Sequence, residues 1–199
     1  MAAKITEPYN QATFARVREY LLNASGNDTQ PKAPVGARPT FFMFMAPANP
    51  KDDYNEVYPG IFIGNEELKK VGITHLVNCA QGVKFNQINT DATFYKDAGI
   101  EYFGIKANDV STYNMAPNFD KSAEFIEKAL ANNGKVFVHC HQGISRSATI
   151  VLAFLMLKRK MTLMEAVKTV RNKRPIFPND GFIKQLSILN YALYEPKNL

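Results

Sequence analysis

A chain of 199 residues with 46% apolar composition holds enough material for one packed domain and too little to favour two. Its 24 basic and 18 acidic residues leave a charge of +6 and a pI near 9.2, an excess that attracts anions without choosing among nucleic acid, acidic lipid and phosphorylated protein. Two cysteines, Cys79 and Cys140, exclude a secreted disulfide scaffold.

No apolar run approaches the roughly 20 residues of a membrane span, and residues 1–20 lack an apolar signal core. The expected setting is therefore a reducing one, cytoplasmic or nuclear. Residues 10–23, NQATFARVREYLLN, place Phe14, Val17 and Leu21 on one helical face with Tyr20 at its edge, which predicts a short amphipathic helix. Residues 24–53 carry five prolines and little periodicity, and read as a linker. The division that follows is 1–53 as helix plus proline-rich linker and 54–199 as the main domain. Inside the linker, TFFMFM (Thr40–Met45) needs cover. A groove on the protein's own surface is the expected place, and a partner or membrane contact the alternative.

From Glu56 the texture changes. EVYPGIFIGN reads as a strand pair or an edge strand with a turn. THLVNCA (Thr74–Ala80), EYFGIKA (Glu101–Ala107) and KVFVHC (Lys135–Cys140) are short apolar strands. Between them, NFDKSAEFIEKALANNG puts Phe119, Ala123, Ile126 and Leu130 on one helical face, with Gly134 placed to stop the helix. SATIVLAFLMLKRK is apolar nearly all round and predicts a buried central helix. TLMEAVKTVRNKR opens with the Thr162–Glu165 spacing of a capping box, and NDGFIKQLSILNYAL is a last helix. Strands alternating with helices predict an α/β fold, a mostly parallel central sheet flanked by helices.

The chemistry concentrates in VFVHCHQGISRSAT, Val136–Thr149. A strand runs straight into a glycine-bearing turn and a helix start, and ligands of open α/β sheets bind beyond the carboxyl ends of strands. Backbone amides of His141, Gln142, Gly143, Ile144 and Ser145, with the positive end of the helix, suit a phosphate. Gly143 lets the backbone approach closely, and Arg146 can hold two phosphate oxygens with its planar fork. The same field favours a Cys140 thiolate over the ordinary thiol with its pKa of about 8.5. A thiolate beside a phosphate monoester is a nucleophile in reach of phosphorus.

His139 precedes the nucleophile on the strand, so its side chain should face away from the pocket, hydrogen-bond the loop and help hold the thiolate. Ser147 can donate to the sulfur as it leaves. Asp109, just past the Glu101–Ala107 strand, is the candidate general acid and later base; the alternative is a carboxylate capping a turn. No cluster of His, Asp and Glu suggests a metal, and no cofactor is expected. His75 is expected to be a packed residue rather than a ligand.

VHCHQGISRSAT resembles the active-site signature of the cysteine-dependent dual-specificity protein phosphatases. With GIKAND, AEFIEKAL and RPIFPNDGFIKQL, the chain is similar to their small VHR (vaccinia-related) type over about Glu56 to Leu193. The resemblance implies a protein-tyrosine-phosphatase-like fold and a shallow pocket for phosphotyrosine and phosphothreonine or phosphoserine, often on MAP kinases. It also implies Cys140 as nucleophile, Arg146 as phosphate binder and Asp109 as general acid.

The departures from that type bear on substrate choice. His141–Gln142 stand where it carries Arg–Glu, weakening a second phosphate-binding patch shared with the position of Arg174; a protonated His141 would partly substitute. Ile144 replaces a tyrosine, and the segment Asn65–Val71 is shorter, predicting a lost or reduced helix. Some related phosphatases also pair a strand-end cysteine reversibly with the nucleophile, which makes Cys79 a redox candidate; the alternative is a small buried hydrophobe. Competing functions are a phosphatase for lipid or RNA phosphates, although HQGIS lacks the lysines of lipid-directed relatives, and a phosphoprotein-binding pseudophosphatase, although Cys140 is present. The expected partners are phosphoproteins, without nucleic acid or a transmembrane segment, and the expected state is a monomer or weak dimer.

Overall fold

The computed structural model describes residues 7–23, 50–65 and 71–194. The TFFMFM run and most of the shortened Asn65–Val71 segment lie outside the described residues.

The sheet has five strands in the order β1-β2-β5-β3-β4. Of the two readings of EVYPGIFIGN the strand pair is the one formed, β1 (Tyr54–Tyr58) with β2 (Ile61–Gly64), turning at Gly60 with φ 74°. All other ladders are parallel: β2 with β5 (Val136–His139), β5 with β3 (His75–Asn78), and β3 with β4 (Glu101–Gly104). β5 lies at the centre, buried along its whole length, which is why it reads as an unbroken apolar run.

Period-2 alternation along these strands assigns the two faces. Ile61, Ile63, Val77, Val136 and Val138 belong to the main core. Phe62, Leu76 and Phe137 form the opposite layer with Tyr95. The main core is completed by α3 (Phe119–Ala131), α4 (Arg146–Arg159), α5 (Leu163–Arg171) and α6 (Asp180–Tyr194). α4 is the predicted central helix, buried continuously from Arg146 to Met156. The Thr162–Glu165 capping box is present at the start of α5. α1 (Glu7–Asn23) packs on α6 and α5, and its Val17 and Leu21 enter the main core at 1% exposure each.

Two local features differ from expectation. α3 is not closed by a left-handed Gly134; Asn133 takes that conformation, with φ 56°. Gly134 is required for a different reason, since a Cβ there would lie 2.6 Å from Thr74 Oγ1 and 2.8 Å from the Ala129 carbonyl. The short α2 (Ala92–Lys96) has too little length for a periodic signal. It is set by Asp91, whose Oδ1 accepts from the amides of Thr93 and Phe94 at 2.9 and 3.1 Å. Among the described residues, no helix is long and apolar enough to cross a membrane.

Candidate active site

β5 ends at His139 and α4 begins at Arg146, so Cys140 to Ser145 form the connecting loop. Three consecutive loop carbonyls are held from outside. Arg174 donates from Nη2 to Gln142 O at 3.0 Å and from Nε to Gly143 O at 2.8 Å, and Phe177 N donates to Ile144 O at 2.9 Å. In a trans peptide the amide N–H points opposite to the carbonyl. The amides of Gly143, Ile144 and Ser145 therefore turn to the concave side, where α4 adds its positive end. Gly143, at φ 67°, cannot carry a Cβ, which would run into the Gly64 carbonyl and lie 2.7 Å from Arg174 Nη2.

Cys140 is 1% exposed at the base of this loop, and its Sγ lies 3.3 Å from Ser147 Oγ. Arg146 is also buried. Its Nη1 donates to the carbonyls of Asn86 and Ala107 at 2.8 and 3.2 Å, which pins one edge of the guanidinium. Its Nε lies 3.4 Å from Asp109 Oδ2, an ion pair without hydrogen-bond alignment. Asp109 is thus at the loop, as expected from its place after β4. Its Oδ1 accepts from Ser145 Oγ at 2.7 Å and from Asn179 Nδ2 at 2.9 Å. These groups line one cleft of about 600 Å³, with His141, Gln142 and Ile144 at its wall.

His139 faces away from the cleft, stacked on Phe137 with ring centroids 5.5 Å apart. The expected hydrogen bond to the loop is not made: among the described residues both ring nitrogens are buried without a partner, and burial lowers the pKa to about 4. Two residues apart on β5, His139 and Phe137 share the face of the sheet opposite Val136 and Val138.

Arg174 also departs from expectation. It is 1% exposed, and besides its two loop bonds its Nη1 donates to Asp52 O at 3.0 Å and Asn55 Oδ1 at 2.9 Å. Burial pulls its pKa down, opposed by the charges of Cys140, Asp52 and Asp53. It borders a second recess of about 250 Å³ with His141 and Gln142, and its bonds to Gln142 O and Gly143 O clasp the loop from beneath. His141 and Gln142 are exposed between the two cavities.

Cys79 is fully buried one step beyond the Asn78–His139 pair of the parallel β3–β5 ladder, and its N–H donates to His139 O at 2.8 Å. It therefore sits beside Cys140. Burial raises its thiol pKa, the adjacent Cys140 charge raises it further, and Arg146 opposes both.

Sequence reasoning missed Asn179. Its side chain caps α6 through Phe182 N at 3.1 Å, holds Asp109, and its own amide donates to Ser145 Oγ at 3.2 Å. The signal was the Asn-Asp-Gly at a helix start. Phe85, 99% exposed, and Arg18 of α1 also border the cleft, and no local pattern pointed to either.

A loop of inward amides takes a tetrahedral oxyanion, and a thiol at its base places the site among the cysteine-dependent phosphatases. Residues 57–191 match the dual specificity phosphatase catalytic domain, and the chain belongs to that family of protein phosphatases. Human and mouse dual specificity protein phosphatase 13B are each 45% identical over 147 residues, covering 70% of this chain and 73% of theirs. Among solved structures, human DUSP28 is similar at 27% identity and a TM-score of 0.61, covering 71% of this chain and 95% of that one. The human tyrosine phosphatase-like serine/threonine/tyrosine-interacting protein is similar at 31% and 0.61, covering 70% and 96%.

Proposed function

We propose that the protein hydrolyses phosphotyrosine and phosphoserine or phosphothreonine in proteins, MAP kinases among them, in the cytoplasm, the nucleus or both, through a cysteinyl-phosphate intermediate. The observation that carries this reading is the convergence of Cys140, Arg146 and Asp109 on one cleft. With Nη1 of Arg146 committed to two carbonyls, the Nε–Nη2 edge remains for two phosphate oxygens.

The Cys140 thiolate attacks phosphorus while the bond to the leaving oxygen breaks and protonated Asp109 gives that oxygen its proton. Water then attacks the cysteinyl phosphate and gives a proton to Asp109. The S–P bond breaks, and the Ser147 hydroxyl, 3.3 Å from sulfur, donates to the departing thiolate. Arg174 and Phe177 keep the amide cradle shaped throughout, so it needs no rearrangement at the transition state.

The test is turnover of phosphotyrosine and phosphothreonine peptides, a phosphoinositide and a triphosphorylated RNA end by wild type, Cys140→Ser and Asp109→Asn. Peptide turnover lost in Cys140→Ser supports the proposal. Preference for the phosphoinositide or the RNA replaces its substrate class, and unchanged activity in Cys140→Ser removes the mechanism.

A further inference from the structure

Arg18 and Leu22 of α1 border the catalytic cleft with Cys140 and Arg146. The helix is fixed there because Val17 and Leu21 are buried in the main core. Arg18 Nε donates to Asp180 Oδ1 at 3.0 Å, and Asp180, the first residue of α6, borders the same cleft. That bond uses one of the five N–H donors of the guanidinium. The two side chains are 38% and 50% exposed, so the pair lies within reach of solvent.

Among the described residues lining this cleft, only Arg146 and Arg18 are permanent cations. Arg146 is required at the scissile phosphate, and Arg174 is spent beneath the loop. α1 also lies outside residues 57–191, the part matched to the family. The second positive charge at the cleft therefore comes from a segment that the shared catalytic domain does not include.

We propose that Arg18 is a specificity-determining residue that receives an anionic group, a carboxylate or a second phosphate, flanking the phosphorylated residue of the substrate. This rests on the phosphatase reading above. Asp180 aims the guanidinium, and because an exposed ion pair is loosely held in water, a substrate oxyanion can share it. The free Nη1 and Nη2 donors present the fork geometry that carboxylate and phosphate both fit.

The experiment compares kcat/KM of the full chain for three phosphotyrosine peptides, with a glutamine, a glutamate or a phosphothreonine beside the phosphotyrosine. Wild type is expected to favour an anionic flank over the neutral one by about three- to fivefold at low salt, the scale of an exposed charge contact. Preference for both anionic peptides identifies a general anion site, and for the phosphothreonine peptide alone a phosphate site. Arg18→Gln brings the ratio to about one and Arg18→Glu inverts it, while about 0.5 M salt erases it in wild type.

No wild-type preference, a ratio unchanged in both variants, or an equal loss on all three peptides overturns the proposal. Affinity of Cys140→Ser for the same peptides reads the preference without turnover, and its absence there also overturns the proposal. Failure of wild type to hydrolyse a simple aryl phosphate strikes the phosphatase reading instead.

Discussion

The Asn179 side-chain amide donates to Asp109 Oδ1 at 2.9 Å while its carbonyl oxygen accepts from Phe182 N at 3.1 Å. One side chain thus ties the loop that carries Asp109 to the first turn of α6. Asn179→Ala is expected to cost about 1 kcal/mol of stability through the lost cap. It should also lower kcat about tenfold for an alkyl or phenyl phosphate, whose leaving oxygen needs a proton, and much less for an activated aryl phosphate. Asn179→Asp retains a cap but lacks the donor, so stability should return without kcat. Equal rate losses on both leaving groups would mark a fold effect rather than misplacement of Asp109.

Arg174 supports the site from the opposite side. Its removal strands the Gly143 carbonyl in a buried setting and the carbonyls of Gln142 and Asp52 and the Asn55 side chain in partly buried ones. Arg174→Met is expected to lose about 2 kcal/mol in chemical denaturation, given roughly 1–3 kcal/mol for a buried group left unpaired and less for the three acceptors that water can reach. Inhibition by inorganic tungstate should weaken in parallel, because the amides of Gly143 and Ile144 are aimed by these bonds. Arg174→Lys should recover little, since one ammonium cannot span acceptors arranged around a planar fork. Tungstate inhibition at wild-type strength in a folded Arg174→Met would show that the cradle holds itself.

Much of this site was legible because its chemistry is contiguous. Cys140, Gly143, Arg146 and Ser147 lie within eight residues spanning a strand end and a helix start, and alternation and apolar runs locate both. Asp109 followed from the same reasoning, since β4 is parallel to β3 and ends at the same sheet edge. What could not be read depends on packing between distant segments. The isolated arginine at position 174 looks alike whether it faces substrate or, as here, fills a buried position under the loop. α1 read as an appendage before a linker, yet its docking on α6 brings Arg18 to the cleft. His139 was correctly turned from the pocket by strand alternation, but whether its nitrogens find partners depends on the layer behind the sheet.

Cys79 and Cys140 end adjacent parallel strands, which sets an outcome for oxidation. Peroxide is expected to convert Cys140 to a sulfenic acid, from which the Cys79 sulfur would displace water to form a disulfide. The raised pKa of Cys79 keeps it mostly protonated and slows this second step, so mild, slow oxidation should favour it. Activity lost at low peroxide should return with dithiothreitol in wild type and not in Cys79→Ser. Peptide mass mapping that finds only the irreversible acids of Cys140, with Cys79 free, would eliminate the pairing.

His139 makes stability fall on acidification in a defined window. Its folded pKa is about 4 because burial disfavours the imidazolium, against about 6.5 in the unfolded chain. Below about 6.5 the unfolded state binds a proton that the native state refuses until about pH 4, so acid favours unfolding. The contribution is intact above pH 6.5 and lost as pH falls towards 4, amounting to about 2 kcal/mol at pH 5. Denaturant unfolding of wild type and His139→Leu at pH 7 and pH 5 isolates it, because the carboxylates are common to both proteins. The wild type should lose about 2 kcal/mol more than the variant over this interval. Equal losses would mean that His139 is protonated in the folded protein well above pH 4, which requires an acceptor for a nitrogen that has none among the described residues.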